Sequence, residues 1–465
     1  MTTSSPGGVF DAAHRLTTAG LLMLVTFVAF ESMAVATAMP TAVTELDGLA
    51  WYGWPFSAYL VASVFGMVVG GDLDDRRGSR TALLAGVLIF AIGLLAGGLS
   101  GHMAVFVAAR AVQGIGGGII SVSLYVMAGQ AYRPELRPRL FAAFSAAWVL
   151  PALIGPLLAG LITTHLGWRW VFLAMLPLIG LGLALLLPAL RRVGAPAGSA
   201  APPSARRWWA LLGGLGIAAL QYAGQRLDLL AVGLASMGVA ALVAALRALL
   251  PEGTVRARPG LPAVIGARGL LAGAFFGMDA LLPLSLTQLH GYSPTTAGIP
   301  LTAGALGWAV ASQVQSRLPG VARVVLLRAG FLLLAAGLAG TALVAVPELQ
   351  GWPCYLTWAV AGLGMGLGMP SLSVLLLDQS PEDRRGADSA AFQIADVTGC
   401  ALAVGVVGVL VAAAASGLLA LPTAVLVAVV VLTALAVLGA LLAPRAGAPG
   451  AAPGTAVPAT TLAAS

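Results

Sequence analysis

The chain has 465 residues, of which 59% are hydrophobic and only 9% charged, and its mean hydropathy is +0.96. A soluble domain carries roughly 25% charged residues, so this composition leaves too little polar surface to cover a water-soluble globule and excludes one. The net charge of +7 does not indicate a nucleic-acid partner, because the Arg residues form short clusters between apolar runs rather than one basic face.

Apolar runs follow one another along the whole chain, each close to the ~20 residues that a helix needs to cross ~30 Å of hydrocarbon. They predict an all-α polytopic membrane protein with fourteen transmembrane helices. The first run carries Glu31 and is too long for the apolar core of a signal peptide, so it predicts a retained helix. Predicted helices 1 to 14 span 16–40, 52–71, 81–100, 103–130, 139–163, 168–190, 208–225, 228–250, 262–287, 295–316, 323–346, 353–377, 388–414 and 418–443.

The distribution of Arg predicts the orientation of these helices. An even helix count places both termini on one side, and most Arg residues fall on that side, whereas only Arg169 and Arg226 fall opposite. Positive residues accumulate in cytoplasmic loops, so we expect both termini in the cytoplasm. The Ala- and Gly-rich composition is typical of a bacterial genome of high GC content, which predicts a bacterial cytoplasmic membrane as the location.

The two halves of the chain match at a constant offset of 248 residues. Arg110–Gly118 reads RAVQGIGGG and Trp358–Gly366 reads WAVAGLGMG, and the same offset relates Glu31 to Asp279. Six plus six helices would repeat at roughly 200 residues, and the excess of about 50 equals the pair predicted at 208–250. The predicted organisation is a tail, a six-helix bundle, linkers with an inserted helix pair, a second six-helix bundle and a disordered tail, at 1–14, 15–191, 192–261, 262–443 and 444–465.

A charged decapeptide, GDLDDRRGSR at 71–80, lies between two apolar runs and is predicted to be a loop at the bilayer surface. Its pattern closely resembles the loop between helices 2 and 3 of the major facilitator superfamily of secondary transporters. The resemblance implies a gating loop, in which Asp75 caps or pairs with a helix end in the other half and stabilises one conformation. The residues that carry the resemblance are Gly71, Asp75, Arg76, Gly78 and Arg80.

Further segments resemble the 14-helix drug:proton antiporter branch of that superfamily. Glu31 is followed nine residues later by Pro40, as in the pattern of helix 1, where the usual acid is Asp. Helix 2 begins WPFSAYLVA, and helix 4 carries Arg110 and Gln113 in the family's spacing. Helix 13 departs from the branch, because an acid, Asp396, stands where an Arg is common.

Predicted helix 5 is similar to the antiporter motif but lacks its first Gly. The resemblance implies a seal against proton leak; ordinary packing of small residues is the alternative. The residues concerned are Pro151, Gly155, Pro156 and Gly160.

Charged groups inside hydrocarbon are costly and are candidates for function. Glu31 lies roughly 24 Å along a helix from Arg15 and is predicted to couple protons or bind a substrate cation, with a structural hydrogen bond as the alternative. Arg110 needs an acidic partner, and the usual proximity of helices 1 and 4 in the superfamily suggests Glu31. Asp279 and Asp396 are candidates for coupling, for substrate binding or for structural roles.

The function that this resemblance implies is proton-coupled efflux of lipophilic or cationic small molecules by alternating access, in a monomer without metal or other cofactor. A lipid or glycolipid exporter, a transport-inactive receptor or scaffold, and import by symport are the alternatives. The chain shows no catalytic or metal-binding pattern that would indicate an enzyme. The candidate cavity residues, for each of which packing is the alternative, are Phe56, Tyr59, Gln113, Trp148, Trp308, Trp358 and Gln393.

Overall fold

The structure is a computed structural model that describes residues 9–11, 14–133, 136–190, 205–226, 228–318, 320–381 and 384–447. Within those residues it contains fifteen α-helices. Helices satisfy every backbone polar group within one segment, which apolar surroundings require. The bounds are α1 Arg15–Glu45, α2 Trp54–Arg77, α3 Ser79–Gly98, α4 Met103–Ala131, α5 Arg137–His165, α6 Arg169–Leu173, α7 Met175–Leu190, α8 Arg206–Ala223, α9 Leu229–Leu249, α10 Leu261–His290, α11 Pro294–Ser316, α12 Arg323–Thr341, α13 Pro353–Gln379, α14 Arg385–Ala415 and α15 Leu421–Ala446.

The helices correspond to the predicted ones. Predicted helix 6 is divided into α6 and α7 at Ala174, so predicted helices 7 to 14 correspond to α8 to α15. In the described part of the chain, twelve helical segments are long and apolar enough to cross a membrane, and the protein is a multi-pass membrane protein. α8 and α11 are not among the twelve, since α8 begins with two Arg residues and α11 carries several Thr, Ser and Gln residues. Most of both predicted tails and residues 191–204 of the first predicted linker lie outside the described residues.

Two predicted boundaries were wrong. The decapeptide 71–80 is not a loop over its length, because α2 continues to Arg77 and α3 begins at Ser79, with Gly78 alone between them. Gly78 has a φ of +80°, which glycine adopts without strain, so one residue is enough to turn the chain. The charges mark where α2 leaves the apolar layer, not where it ends. Likewise, α1 continues to Glu45, because Pro40 removes only one backbone donor from the helix.

The two halves pack their helices in the same order. In the first half, α4 lies against α2 and α3, and α1 lies against α5 and α7; in the second half, α13 lies against α11 and α12, and α10 lies against α14 and α15. Glycines make the matching contacts: a Cβ at Gly118 would lie 2.1 Å from the Ser63 carbonyl oxygen, and one at Gly366 would lie 2.3 Å from the Trp308 carbonyl oxygen. These contacts are helix packing, as the sequence predicts for this Gly-rich run.

Successive helices alternate in direction across the bundle. The Tyr132 hydroxyl, just after α4, lies 2.7 Å from the Thr18 hydroxyl near the start of α1, and Trp168, just before α6, donates to Glu45 at the end of α1. We call the face where α1 begins and α15 ends the terminal face, and the other the opposite face. Gly78 therefore lies at the terminal face.

The halves meet along two seams, α5 on α11 and α2 on α14. Both seams are tight at the opposite face. A Cβ at Gly160 would lie 2.6 Å from Thr295 Cα, and a Cβ at Gly53 would lie 2.6 Å from Gly408 Cα. The inserted helices α8 and α9 pack against each other, and α8 contacts both α2 and α14 at the second seam.

Candidate functional site

A buried ion pair joins α1 to α4 inside the first half. Arg110 donates through Nη1 to Glu31 Oε1, and both side chains are almost completely buried. Arg110 also donates to Gln113 Oε1 at 2.6 Å and, through Nε, to the Pro55 carbonyl at 3.3 Å. The expected pairing of Arg110 with Glu31 is therefore present in this conformation.

Aromatic rings complete the surroundings of this pair. The Arg110 guanidinium lies 4.4 Å from the centre of the Tyr59 ring and 5.9 Å from that of Phe172, within the range of cation–π attraction. Glu31 Oε2 and Gln113 Nε2 are buried and have no hydrogen-bond partner among the described residues. One carboxylate oxygen of Glu31 is thus held by the arginine.

A second acid lies where the two halves meet. Asp279 on α10 is 9% exposed and lines a small pocket. Among the described residues it has no ion-pair or hydrogen-bond partner. The pocket is lined by Met33, Ala152, Pro156, Phe275, Asp279, Leu301, Ala305 and Trp308, which come from α1, α5, α10 and α11.

Trp358 occupies the position in the second repeat that matches Arg110 in the first. Its side chain packs against aromatic rings and forms no ion pair. It is fully buried behind Phe275, and the two rings stack with centroids 4.7 Å apart. Phe275 in turn meets Trp308 edge to face at 5.9 Å. The second half therefore places an aromatic stack beside Asp279, whereas the first half places a guanidinium beside Glu31.

Asp396 belongs to a pair that the sequence analysis missed. Arg268 Nε on α10 lies 2.7 Å from Asp396 Oδ1 on α14, and the side chains are 12% and 18% exposed. Arg268 also lies 4.8 Å from the centre of the Phe392 ring. The pairing leaves no signal in the sequence, because 128 residues separate Arg268 from Asp396.

The α5 motif contacts both halves. Pro156 lines the pocket, and Gly160 touches α11 so closely that a Cβ there would lie 2.6 Å from Thr295 Cα. Gly155 is less restricted, since a Cβ there would make an ordinary contact of 3.5 Å with Met33. Pro151 is buried one turn before Gly155.

The predicted cavity residues divide into two groups. Tyr59 and Gln113 surround the ion pair and Trp308 lines the pocket. The others do not line this pocket. Trp148 is 41% exposed, Gln393 is exposed, and Phe56 packs against Tyr52 with centroids 5.7 Å apart.

The gating segment presents its charges at the terminal face. Asp75, Arg76 and Arg80 are exposed, and Asp75 has no hydrogen-bond or ion-pair partner in the described part of the chain. A Cβ at Gly71 would meet open space. The buried acid of the segment is its neighbour Asp74, which accepts a hydrogen bond from Ser123 at 2.9 Å.

These features together indicate a class of membrane protein. A bundle of membrane-length helices, built twice and closed around a pocket between the halves, is the architecture of secondary transporters. In the described ranges, no group of three or more His, Cys, Asp or Glu side chains could hold a metal ion.

The chain belongs to the Major Facilitator Superfamily, whose sequence model matches residues 21–404. This is a family of transporters and not of enzymes. A probable multidrug-efflux transporter of Mycobacterium tuberculosis is 29% identical over 423 residues, which cover 86% of this chain and 88% of that protein. Multidrug resistance protein 3 of Bacillus subtilis is 32% identical over 173 residues, or 37% of this chain and 34% of that protein.

Solved structures of transporters share the fold. A POT family transporter in complex with 5-aminolevulinic acid has a TM-score of 0.69 at 15% identity, covering 93% of this chain and 96% of that one. A D-xylose-proton symporter has a TM-score of 0.64 at 18% identity, covering 94% and 97%. At these identities the likeness shows the fold alone.

Proposed function

We propose that the protein exports lipophilic or cationic small molecules across a bacterial cytoplasmic membrane, in exchange for protons, by alternating access. The observation that carries the proposal is the different state of two matching acids. Glu31 is neutralised by Arg110 inside the first half, and Asp279 has no partner in the pocket between the halves. One acid is suited to exchange a proton and the other to hold a cation.

Proton exchange at Glu31 would change the contacts of Arg110. Protonation removes the negative charge that holds the guanidinium, which then depends on Gln113 and on the Pro55 carbonyl. Pro55 and Tyr59 both belong to α2, which lies at a seam with the second half. A change at the ion pair would therefore reach a helix that forms a seam between the halves, and coupling requires such a link.

The pocket suits a cationic substrate with apolar groups. A carboxylate buried without a partner is costly, so a ligand that brings its own positive charge gains the energy of pairing with Asp279. Phe275 and Trp308 offer ring surfaces for an aromatic or quaternary ammonium group. The remaining lining is apolar, which favours lipophilic compounds over sugars or peptides.

The proposed topology has fourteen membrane-spanning helices, with the inserted pair α8 and α9 between two six-helix bundles. α8 and α11 count as spans because they pack within the bundle on helices that are apolar enough to cross. The distribution of Arg supports cytoplasmic termini, which would make the terminal face the cytoplasmic one. The proposed transporter acts as a monomer, with no cofactor beyond the proton gradient.

Transport by purified protein in proteoliposomes tests this function. Ethidium, a lipophilic cation, serves as the probe, and a pH-sensitive dye inside the vesicles reports proton movement. We expect an imposed pH gradient to drive ethidium transport, with protons moving in the opposite direction. Glu31→Gln should lose gradient-driven transport and keep ethidium binding. Gradient-driven transport that is undiminished in Glu31→Gln would contradict the coupling role.

Glu45→Gln is the matched control, because Glu45 lies on the same helix and also has an arginine partner. That pair, with Arg169, lies at the opposite face and is about half exposed. The control should transport ethidium like the unaltered protein. A panel of neutral and cationic drugs, measured by accumulation in cells that lack their own exporters, would define the substrates.

Lipid export is the second candidate, and one cavity favours it. A second small pocket lies between α2, α8, α9 and α14, and its lining is apolar apart from Thr398. Its position beside the inserted pair suits an acyl chain at a lateral entrance. Movement of a fluorescent phospholipid between the leaflets of the same proteoliposomes would favour lipid export, and its absence would favour export of small molecules. The same measurement on Asp279→Asn shows whether lipid movement depends on the pocket that contains Asp279.

A further inference from the structure

The inserted helix α8 joins the two halves at the opposite face. It packs along α2, where a Cβ at Gly214 would lie 2.4 Å from a methyl group of Val61. It also reaches α14, where a Cβ at Gly224 would lie 2.5 Å from a methyl group of Val409. α8 packs more extensively on α2 than on α14, so we expect it to stay with α2 when the halves separate.

Gln221 on α8 places a polar group inside this seam. The side chain is 2% exposed, and its Oε1 accepts a hydrogen bond from Ser57 of α2 at 2.5 Å. Its Nε2 is buried without a partner in the described structure. A Cβ added at Gly53 would lie 3.0 Å from Nε2, and one at Gly408 would lie 3.3 Å from it. The amide nitrogen is thus aimed into the Gly53–Gly408 contact, where α2 meets α14.

We propose that Gln221 is a release residue, which favours separation of α2 from α14 at the opposite face and so sets the conformational equilibrium of the transporter. Only interactions that differ between the two states shift an equilibrium. The hydrogen bond to Ser57 lies on the α2 side and survives the separation. The amide nitrogen has no partner when the seam is closed, and it gains water when the seam opens. The unpaired donor therefore destabilises the closed seam.

The other seam carries no unpaired amide at its opposite-face contact, although the hydroxyls of Thr163 on α5 and Thr302 on α11 are buried without a partner among the described residues. At the opposite face of α5 and α11, the Thr164 and Thr295 hydroxyls are 3.0 Å apart, and Thr164 also bonds to the Gly160 carbonyl. The Thr164 and Thr295 hydroxyls are thus paired in the closed state. The inserted pair gives one seam a release residue that two six-helix bundles alone would not supply.

The rate at which a reporter cysteine is alkylated tests the proposal. Thr37 on α1 is buried and packs against Gly298 of α11, so it becomes accessible only when the halves separate at the opposite face. Thr37→Cys is made in full-length protein in which Cys354 and Cys400 are replaced by Ala, and it is treated with a water-soluble maleimide. The rate reports the open fraction even where that fraction is small.

Gln221→Met keeps the length of the side chain and removes the amide. We expect it to slow alkylation about tenfold, as the loss of one unpaired buried donor from the closed state implies. Leu215→Met, at an exposed position of α8, is the matched control and should leave the rate unchanged. Ser57→Ala should have the opposite effect and speed alkylation, because it leaves the amide oxygen of Gln221 unpaired as well.

An unchanged or faster rate in Gln221→Met would overturn the proposal, and so would a slower rate in Ser57→Ala. Should Gln221→Met not give monodisperse protein, Gln221→Leu makes the same comparison. The measurement uses neither substrate nor a pH gradient. Its failure would therefore leave proton-coupled export standing, and a failure of export would leave this result standing.

Discussion

Glu31 and Asp279 occupy matching positions in the two repeats, on α1 and α10, but their surroundings differ in charge. Glu31 is paired with Arg110, whereas the position that matches Arg110 holds Trp358, which stacks on Phe275 and offers no charge. The two halves pack their helices in the same order. The side chains opposite the two acids therefore differ although the helix order is shared, and a duplicated scaffold can assign two tasks to one pair of matching acids.

Arg110→Ala should have the largest effect, because it leaves Glu31 buried without its partner. Breaking a buried pair from one side costs about 3–5 kcal/mol, so we expect a large fall in the unfolding temperature in detergent and no transport. Arg169→Ala is the control, since its pair with Glu45 is about half exposed and such pairs contribute roughly 0–1 kcal/mol. The neutral pair Glu31→Gln with Arg110→Gln should recover much of the loss in stability. Equal losses of stability in Arg110→Ala and Arg169→Ala would contradict the importance of the buried pair.

Asp279→Asn should change stability little and transport strongly. Removing an unpaired buried charge costs no existing contact, so the unfolding temperature should stay the same or rise. The KM for ethidium should rise about tenfold or more, the loss of one charge–charge contact. A neutral substrate of similar size should keep its KM. A similar rise in KM for both substrates would show that Asp279 shapes the pocket rather than attracting cations.

Much of the fold could be read from the sequence, because the features that specify it are local. Apolar runs predict the helices, the offset of 248 residues predicts the repeat, and the excess over a plain repeat predicts a helix pair where α8 and α9 lie. The same local signals misled at Gly71–Arg80, where charge suggested a loop and the helix in fact continues to Arg77. A helix can leave the apolar layer without ending, and hydropathy alone does not separate the two events.

The candidate site was only partly predictable, since its contacts join distant residues. The pairing of Glu31 with Arg110 was expected because the family resemblance places their helices together. Arg268 with Asp396 was missed, because no pattern along the chain relates them. Trp148 and Gln393 were proposed for a cavity on residue type alone, and both are exposed away from the central pocket. Residue type suggests what a side chain can do, and packing decides what it meets.

Asp396→Asn should have a smaller effect than Arg110→Ala or Asp279→Asn. Its pair with Arg268 is partly exposed, and Arg268 keeps its contact with Phe392. Water can therefore replace the lost carboxylate charge, and we expect stability within about 1 kcal/mol of the unaltered protein. Proteoliposome transport of ethidium should fall less than fivefold, as about 1 kcal/mol implies. A complete loss of gradient-driven transport would move part of the coupling to the second half.

The smallest effect should come from Asp74→Asn, which makes the first half resemble the second at the terminal face. Ser123 donates to Asp74, whereas its repeat mate Ser371 is hydrogen-bonded to the amide of Gln315 at 3.1 Å. Asparagine keeps an acceptor for Ser123, so stability should change by about 0.5 kcal/mol or less, and transport should stay near normal. Asp75→Asn, at the exposed neighbour, is the control for charge at this face. If Asp74→Asn abolished transport with its unfolding temperature unchanged, an acid would be needed at the terminal face as well, and coupling could not be assigned to Glu31 alone.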